Sequence, residues 1–475
     1  MSYILFIDRA WPLLAKLVSD FEACTLGSDT KIILLSEFKP SGKIGRVEVI
    51  NIHDIPQKRT LMEMQAEYQF SIQKTLVTER AFYDYCSFRR SQCYSRLTEQ
   101  QIAEKITPYV NAIDYMIRER VDLVIDWIQD SFVPSIAGPI AKHYKKQFRM
   151  FLPHYWWSDG ALILDRMDQT SSIIDRYYNY YYENQNLCNR EYLDNIFTQK
   201  KTLYAIERSR MYSLQHRIAL FRNRLKSYEP ISLRHWIVRR LSKVVSSFLI
   251  KMFIARESEP GVNERFLVYP LQTSPEASLL GTYPEMADQF TLIKNVSMNL
   301  PYGVKLYVKE HPYEKTGAGL NFDFYRKLSV LPNVRIIRGS SGLSKLMNHP
   351  NFLAMVALNG TSIIEAAFLR KPVFIFGRSF YGLADCFIKP ANYDEFYEAL
   401  LTILQGNYKF NDGALYAMLM ALDKSVVRAD VDLVVDNSTD LLSQLPRIWA
   451  SYIISSEWQI ANTSEGLVSP AYFSP

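Results

Sequence analysis

Cysteine is scarce in this chain: its 475 residues hold five, Cys24, Cys86, Cys93, Cys188 and Cys386, scattered and odd in number. That excludes a disulfide-stapled secreted domain and a thiolate zinc site, and fits a reducing compartment. Nowhere does an apolar run reach the length of about eighteen residues that a membrane-spanning helix needs; the best candidate, 244–255, is broken by Lys251. The N-terminus has no basic stretch ahead of its short apolar run, so 3–7 reads as a first buried strand and not as a signal peptide. The expected location is cytoplasmic. Internal repeats and long low-complexity segments are absent too.

What is there belongs to a globular protein. Apolar residues make up 48% and charged residues 22%, while 13% aromatics suggest stacking surfaces as well as core. The length points to two or three domains. Up to about residue 165, short β-branched runs alternate with helical stretches: 3–7, 31–35, 47–52, 121–125 and 148–152 as strands, 11–21, 61–87 and 134–146 as helices. A tyrosine- and asparagine-rich stretch at 167–198 interrupts the rhythm. It restarts with strands at 265–269, 304–308, 334–337, 352–358 and 372–376, the last closed by Gly377. Strand-helix alternation of this kind means parallel sheets covered by helices. The expected fold is therefore α/β, with two Rossmann-like domains facing a cleft: 1–198, then a basic helical insert or linker at 199–260, then 261–425. A helical tail, 426–475, is placed to pack back on the first domain.

Charge is uneven. Residues 200–256 carry fourteen Lys or Arg against two Glu, a balance of +12 in a protein of net charge +6. Apolar and aromatic residues such as Trp236, Val244, Phe248, Met252 and Phe253 interleave with these charges, so part of the stretch should be an amphipathic helix. Such a segment suits an anionic membrane face or an anionic glycan, or it is a solvated insert packed between domains.

Chemistry concentrates in the second half. Lys309-Glu310-His311-Pro312 ends the 304–308 strand, and about fifty residues on comes Asn359-Gly360-Thr361-Ser362-Ile363-Ile364-Glu365. In open α/β sheets ligands bind beyond the carboxyl ends of strands. A histidine there can donate to a phosphate oxygen and stabilise a departing nucleotide. Thr361 and Ser362, at an expected helix start behind Gly360, can cap the helix or meet an anion. Glu365 can close a capping box or accept from ribose hydroxyls. Ser340 and Ser341, after Gly339, are further candidates for the same cleft, an ordinary turn being the plainer role.

These motifs, together with Tyr269-Pro270-Leu271-Gln272, Pro275-Glu276, Gln289, Leu300-Pro301, Ala366 and Lys371-Pro372-Val373, resemble the capsule-polysaccharide biosynthesis proteins, the Kdo-transferase-like group of bacterial glycosyltransferases. The resemblance covers roughly 265–395. It implies a GT-B architecture whose C-terminal domain holds a CMP-activated sugar acid such as Kdo. Gln272, Lys309, His311, Ser340, Ser341, Asn359, Gly360, Thr361, Ser362 and Glu365 would line the donor site, with His311 on the phosphate and Glu365 on the ribose. The family's catalytic base is an aspartate in a Glu-Asp-Gly motif, and the matching stretch here is Trp157-Ser158-Asp159-Gly160. Ser158 replaces the first acid and Ala161 stands where an aromatic is common. Asp126 and Asp130, beyond the 121–125 strand, compete with Asp159 for the role.

The function expected is inverting, metal-independent transfer of a sugar acid from a CMP donor to a surface glycan or glycolipid. No cofactor, metal or nucleic-acid partner is implied; Asp430-Val431-Asp432, the one Asp-x-Asp, reads as surface charge. Transfer from a UDP- or GDP-sugar, nucleotide-sugar epimerisation, and a non-catalytic role in polysaccharide assembly are the alternatives.

Overall fold

The computed structural model describes residues 2–8, 14–25, 30–37, 39–72, 75, 98–126, 132–153, 160–166, 170–196, 233–272, 289–311, 322–428 and 441–454. The N-terminal half runs β1 (Ser2–Asp8), α1 (Leu14–Cys24), β2 (Thr30–Ser36), β3 (Gly42–Ile44), β4 (Val47–Asn51), α2 (Leu61–Tyr68), α3 (Glu99–Glu119), β5 (Leu123–Asp126), α4 (Phe132–His143), β6 (Gln147–Pro153), β7 (Gly160–Leu164) and α5 (Ser172–Glu183). Helix α6 (Leu233–Phe253) leads into the second half: β8 (Arg265–Pro270), α7 (Gln289–Met298), β9 (Val304–Lys309), α8 (Phe322–Ser329), β10 (Val334–Ile337), α9 (Leu343–Met347), β11 (Phe352–Ala357), α10 (Ser362–Phe368), β12 (Val373–Ile375), α11 (Tyr393–Leu404), α12 (Asp412–Lys424), β13 (Val426–Arg428) and α13 (Leu441–Ile454).

Two sheets result. One has the order β13-β7-β6-β5-β1-β2-β4-β3, the other β10-β9-β8-β11-β12. The second is parallel throughout, and the first is parallel across β6-β5-β1-β2-β4. Each has the strand order of a Rossmann domain, so the two-domain GT-B expectation holds.

Period-two side-chain alternation explains why both faces need cover. In β1, Ile4 and Phe6 join a core shared with α1 and α13, whereas Leu5 and Ile7 face the opposite core with α3 and α4. In β8, Leu267 and Tyr269 point to α7, α8 and α11, and Phe266 and Val268 to the other side. Strands buried on both faces are continuous apolar runs, which is how they were legible in the sequence.

Several elements were not foreseen. Helix α3 carries Pro108 in its interior, where proline removes a backbone hydrogen bond and disfavours helix. A capping box between Thr98 and Gln101 starts it, and its buried stripe of Ile106, Val110, Ile113 and Ile117 holds it on the sheet, so tertiary burial overrides the local cost. Within the helix expected over 61–87, α2 ends at Tyr68, with Gln69 in the left-handed region at φ 56°; 73–74 and 76–87 lie outside the described residues. The tyrosine-rich interruption forms α5, whose Tyr178 and Tyr181 are buried.

The chain's return to the first domain begins at α12, ahead of the expected boundary at 426. From Gly413 to Asp423 every residue of α12 is buried, so this helix needs cover all round; α5 provides one side of it, with Tyr192 Oη donating to Asp423 Oδ1 at 3.1 Å nearby. Strand β13 then pairs antiparallel with β7, and α13 lies against α1. Trp449, fully buried, meets Phe6 at 5.0 Å and Phe21 at 6.0 Å between ring centroids. Trp449→Ala should destabilise the N-terminal domain by about 3–5 kcal/mol, read from chemical unfolding; an unchanged midpoint would mean that α13 contributes little to that core.

Candidate active site

In the second sheet the chain leaves β8 towards β9 and β10 on one side, and β11 continues to β12 on the other. The strand order therefore reverses between the carboxyl ends of β8 and β11, and in open sheets of this kind ligands bind in the crevice at that point. Gln272 forms one lip, Asn359 and Gly360 the other. The Gln272 Nε2 donates to the Asn359 carbonyl at 2.5 Å. Its Oε1 is buried with no hydrogen-bond partner among the described residues, so an incoming donor would remove a cost of about 1–3 kcal/mol.

Gln289, buried at the start of α7, sets that lip. Its Oε1 accepts from the Gln272 backbone N–H at 2.9 Å and from Tyr269 Oη at 3.2 Å, and its Nε2 donates to the Gln272 carbonyl at 3.0 Å. Both backbone groups of Gln272 are thereby fixed from one side chain. Gln289 was legible as part of the family-like run but not as the residue that holds the site in shape.

On the other lip Gly360 has φ +111°, a conformation that a side chain strongly disfavours, and its N–H donates to Asn359 Oδ1 at 2.8 Å. Thr361 is the N-cap of α10 and makes no side-chain capping bond. The third helical position is therefore Ile364, and the Ser362–Glu365 capping box does not form. Glu365 is half-buried beside Tyr381. Burial first, and the Glu365 charge second, push the Tyr381 phenol well above its ordinary range, so Tyr381 stays protonated.

One strand over, β9 delivers Lys309, Glu310 and His311. Lys309 is buried, with Nζ donating to the Glu310 carbonyl at 3.2 Å and the Gly339 carbonyl at 3.4 Å. Glu310, also buried, stitches strand ends together: Oε1 accepts from Arg256 at 3.2 Å and Oε2 from the Gly339 N–H at 3.1 Å. Neither Arg256 nor Glu310 was marked as a pair by sequence, since 54 residues separate them. His311 is half-buried just past the strand. Beyond it the β10 end turns away: Ser340 is exposed, and Ser341 Oγ donates to the Ser258 carbonyl at 2.8 Å. The structure thus gathers Gln272, Asn359, Gly360 and Thr361 at the reversal point, sets Lys309 and His311 on the adjoining strand, and directs Ser341 to the interdomain linker.

The first sheet has its own reversal point, between β1 and β5. Their carboxyl ends are Asp8 and Asp126, 3% and 5% exposed, and Ser36 Oγ donates to Asp8 Oδ2 at 2.9 Å. Asp126 was a candidate base from sequence; Asp8 was missed, although both follow the same pattern of an aspartate closing an apolar strand. Asp159 and Asp130 lie outside the described residues, as does Pro312.

Residues 175–385 match the model of the family described as capsule polysaccharide biosynthesis protein. The resemblance read from the motifs holds for that region. Among curated proteins nothing matches. Solved structures similar to the chain include two Thermosulfurimonas dismutans KpsC structures. The β-Kdo 2,4 transferase is 15% identical, with 64% of this chain and 80% of that one covered at a TM-score of 0.32. The β-Kdo 2,7 transferase is 12% identical, with 74% and 88% covered at 0.32. The UDP-GlcNAc 2-epimerase of Neisseria meningitidis bound to UDP-GlcNAc is 13% identical, with 97% and 100% covered at 0.28. Likenesses this distant do not choose between transfer and epimerisation.

An ideal Cβ on Gly339 would stand 2.8 Å from the His311 carbonyl oxygen, closer than real contacts allow. Gly339→Ala should therefore displace the His311 segment at a cost of about 1–3 kcal/mol and weaken nucleotide binding. Calorimetric titration beside an unfolding curve would show both; full binding at unchanged stability would mean that the β9 and β10 ends are not coupled.

Proposed function

We propose that the chain is an inverting glycosyltransferase of surface-polysaccharide synthesis, moving a sugar acid of the Kdo type from a CMP donor to a glycan or glycolipid acceptor. The observation that supports this reading is the reversal point of the second sheet, where Gln272 Oε1 is buried without a hydrogen-bond partner among the described residues, beside Asn359 and Gly360, and where His311 stands one strand away. A cytosine amine or a sugar hydroxyl suits the Gln272 Oε1 as donor. The match of this half to a capsule polysaccharide biosynthesis family supports it.

In the reaction an acceptor hydroxyl attacks the anomeric carbon as the bond from that carbon to the CMP phosphate oxygen breaks. The hydroxyl proton passes to a carboxylate, and the leaving phosphate takes up the bonding pair. His311 donates to a phosphate oxygen and so opposes the charge that grows there. Glu365 accepts from the ribose. The base belongs to the first domain, where Asp159 is the candidate and Asp126 and Asp130 compete with it, because inversion needs one carboxylate at the acceptor hydroxyl. Lys309 and His311 provide positive charge for a leaving phosphate without a metal ion.

CMP should raise the thermal unfolding midpoint more than UDP or GDP, a ligand at a hundredfold its Kd adding about 2.7 kcal/mol. Greater stabilisation by UDP would move the donor to that class, and epimer formation without transfer would replace the reaction itself. His311→Ala should lower turnover by roughly a hundredfold or more with the fold intact, and activity should persist in EDTA. Asp159→Asn and Asp126→Asn, compared for transfer and for CMP binding, identify the base as the variant that loses transfer and keeps the nucleotide; if neither loses transfer, the base lies elsewhere.

A further inference from the structure

Helix α6 leads into the second domain, and the described residues by which it docks lie along one side. Ser246 Oγ accepts from the Phe322 N–H of α8 at 2.7 Å, Ile250 packs against the core of the second domain, and Ile254 just beyond the helix is buried in it. These positions recur every four residues and define one stripe. At about 100° per residue the opposite side is centred on 241, 248 and 252. That side is apolar and open: Leu241, Val244, Val245, Phe248 and Met252 are 54–65% exposed. Exposed side chains at i, i+3, i+4, i+7 and i+11 form a continuous ridge along the outer face of a helix about 32 Å long. Scattered exposed apolar residues are ordinary; a continuous ridge marks a surface that something covers.

Charge selects the occupant. The α6 sequence holds five Lys or Arg, namely Arg234, Arg239, Arg240, Lys243 and Lys251, and no Asp or Glu. The preceding residues 200–232 add eight more basic residues against Glu207 and Glu229. A second copy of the chain would bring two such helices together and set like charges against each other. An anionic lipid surface satisfies both halves of the pattern, since its headgroups attract the cations and its acyl boundary takes the ridge. Among the described residues no helix is long and apolar enough to cross a membrane, so the mode is a helix lying in the interface.

We propose that α6 is a peripheral membrane-docking face that seats the protein on anionic lipid through the Leu241–Phe248–Met252 ridge. Of the fourteen cations in 200–256, Arg256 is withdrawn from this role by its ion pair with Glu310, which leaves the charge concentrated on the helix and on the residues before it.

The test uses the full chain and flotation with phosphatidylcholine vesicles, with and without phosphatidylglycerol. Binding should require phosphatidylglycerol and should fall as salt is raised. Arg239→Gln, Arg240→Gln and Lys243→Gln together should weaken it by about fivefold per charge, on the order of a hundredfold in all. Phe248→Ser with Met252→Ser, both at exposed positions and so neutral to folding by circular dichroism, should weaken it at least tenfold. No binding of the wild-type chain at low salt would overturn the proposal. So would vesicle binding that the ridge variant leaves unchanged, because the cations alone would then account for it. Light scattering that shows a dimer broken by the ridge variant would assign the face to a second copy instead.

Discussion

The organising constraint is the pairing of β8 with β11. Parallel strands need crossover connections, and where the chain reverses the direction in which it adds strands, the connections from two neighbours depart to opposite faces. Among the described residues, the backbone at the two carboxyl ends is held by side chains. Gln289 does this for β8, and the Asn359–Gly360 turn does it for β11, the two lips meeting through Gln272 Nε2 at 2.5 Å. Because β9 lies beside β8, the placing of Lys309 and His311 follows from the same arrangement; Glu310 ties their strand end to β10 and to Arg256.

The two domains are less independent than the linear order suggests. Buried residues of α3, α4, α5, α9, α10 and α12 form one continuous apolar cluster, so an apolar layer passes from one sheet to the other. Tyr178 Oη, for example, accepts from the Asp385 N–H at 3.3 Å across that boundary. The return of β13 and α13 to the first domain adds a second crossing.

Much of the architecture was readable because a strand buried on both faces is a continuous apolar run and needs no knowledge of its neighbours. Strands β7 and β13 escaped notice: each is short, and their pairing is antiparallel, β7 lying between β6 and β13, with Val426 opposite Leu162 and Arg428 opposite Gly160. Helix α3 escaped for the opposite reason, since Pro108 argues locally against a helix that packing keeps. Around the candidate site, residue types near strand ends pointed to Gln272, His311, Asn359 and Gly360, which the structure places at the carboxyl ends of β8, β9 and β11. They did not distinguish Ser341, which bonds the linker, from Thr361, whose hydroxyl caps nothing.

Sequence alone therefore determined the alternation of elements, the parallel strands of both sheets, the strand-end position of the candidate residues and the basic character of the segment before the second domain. These follow from local periodicity and composition, which each stretch carries by itself. Only the tertiary structure decided which strand ends adjoin, that Gln289 holds the crevice, that Arg256 belongs to Glu310, that Asp8 and Asp126 close neighbouring strands, and which side of α6 is left open. Each of these is a relation between residues distant in the chain, and it comes into being only when packing has brought them together.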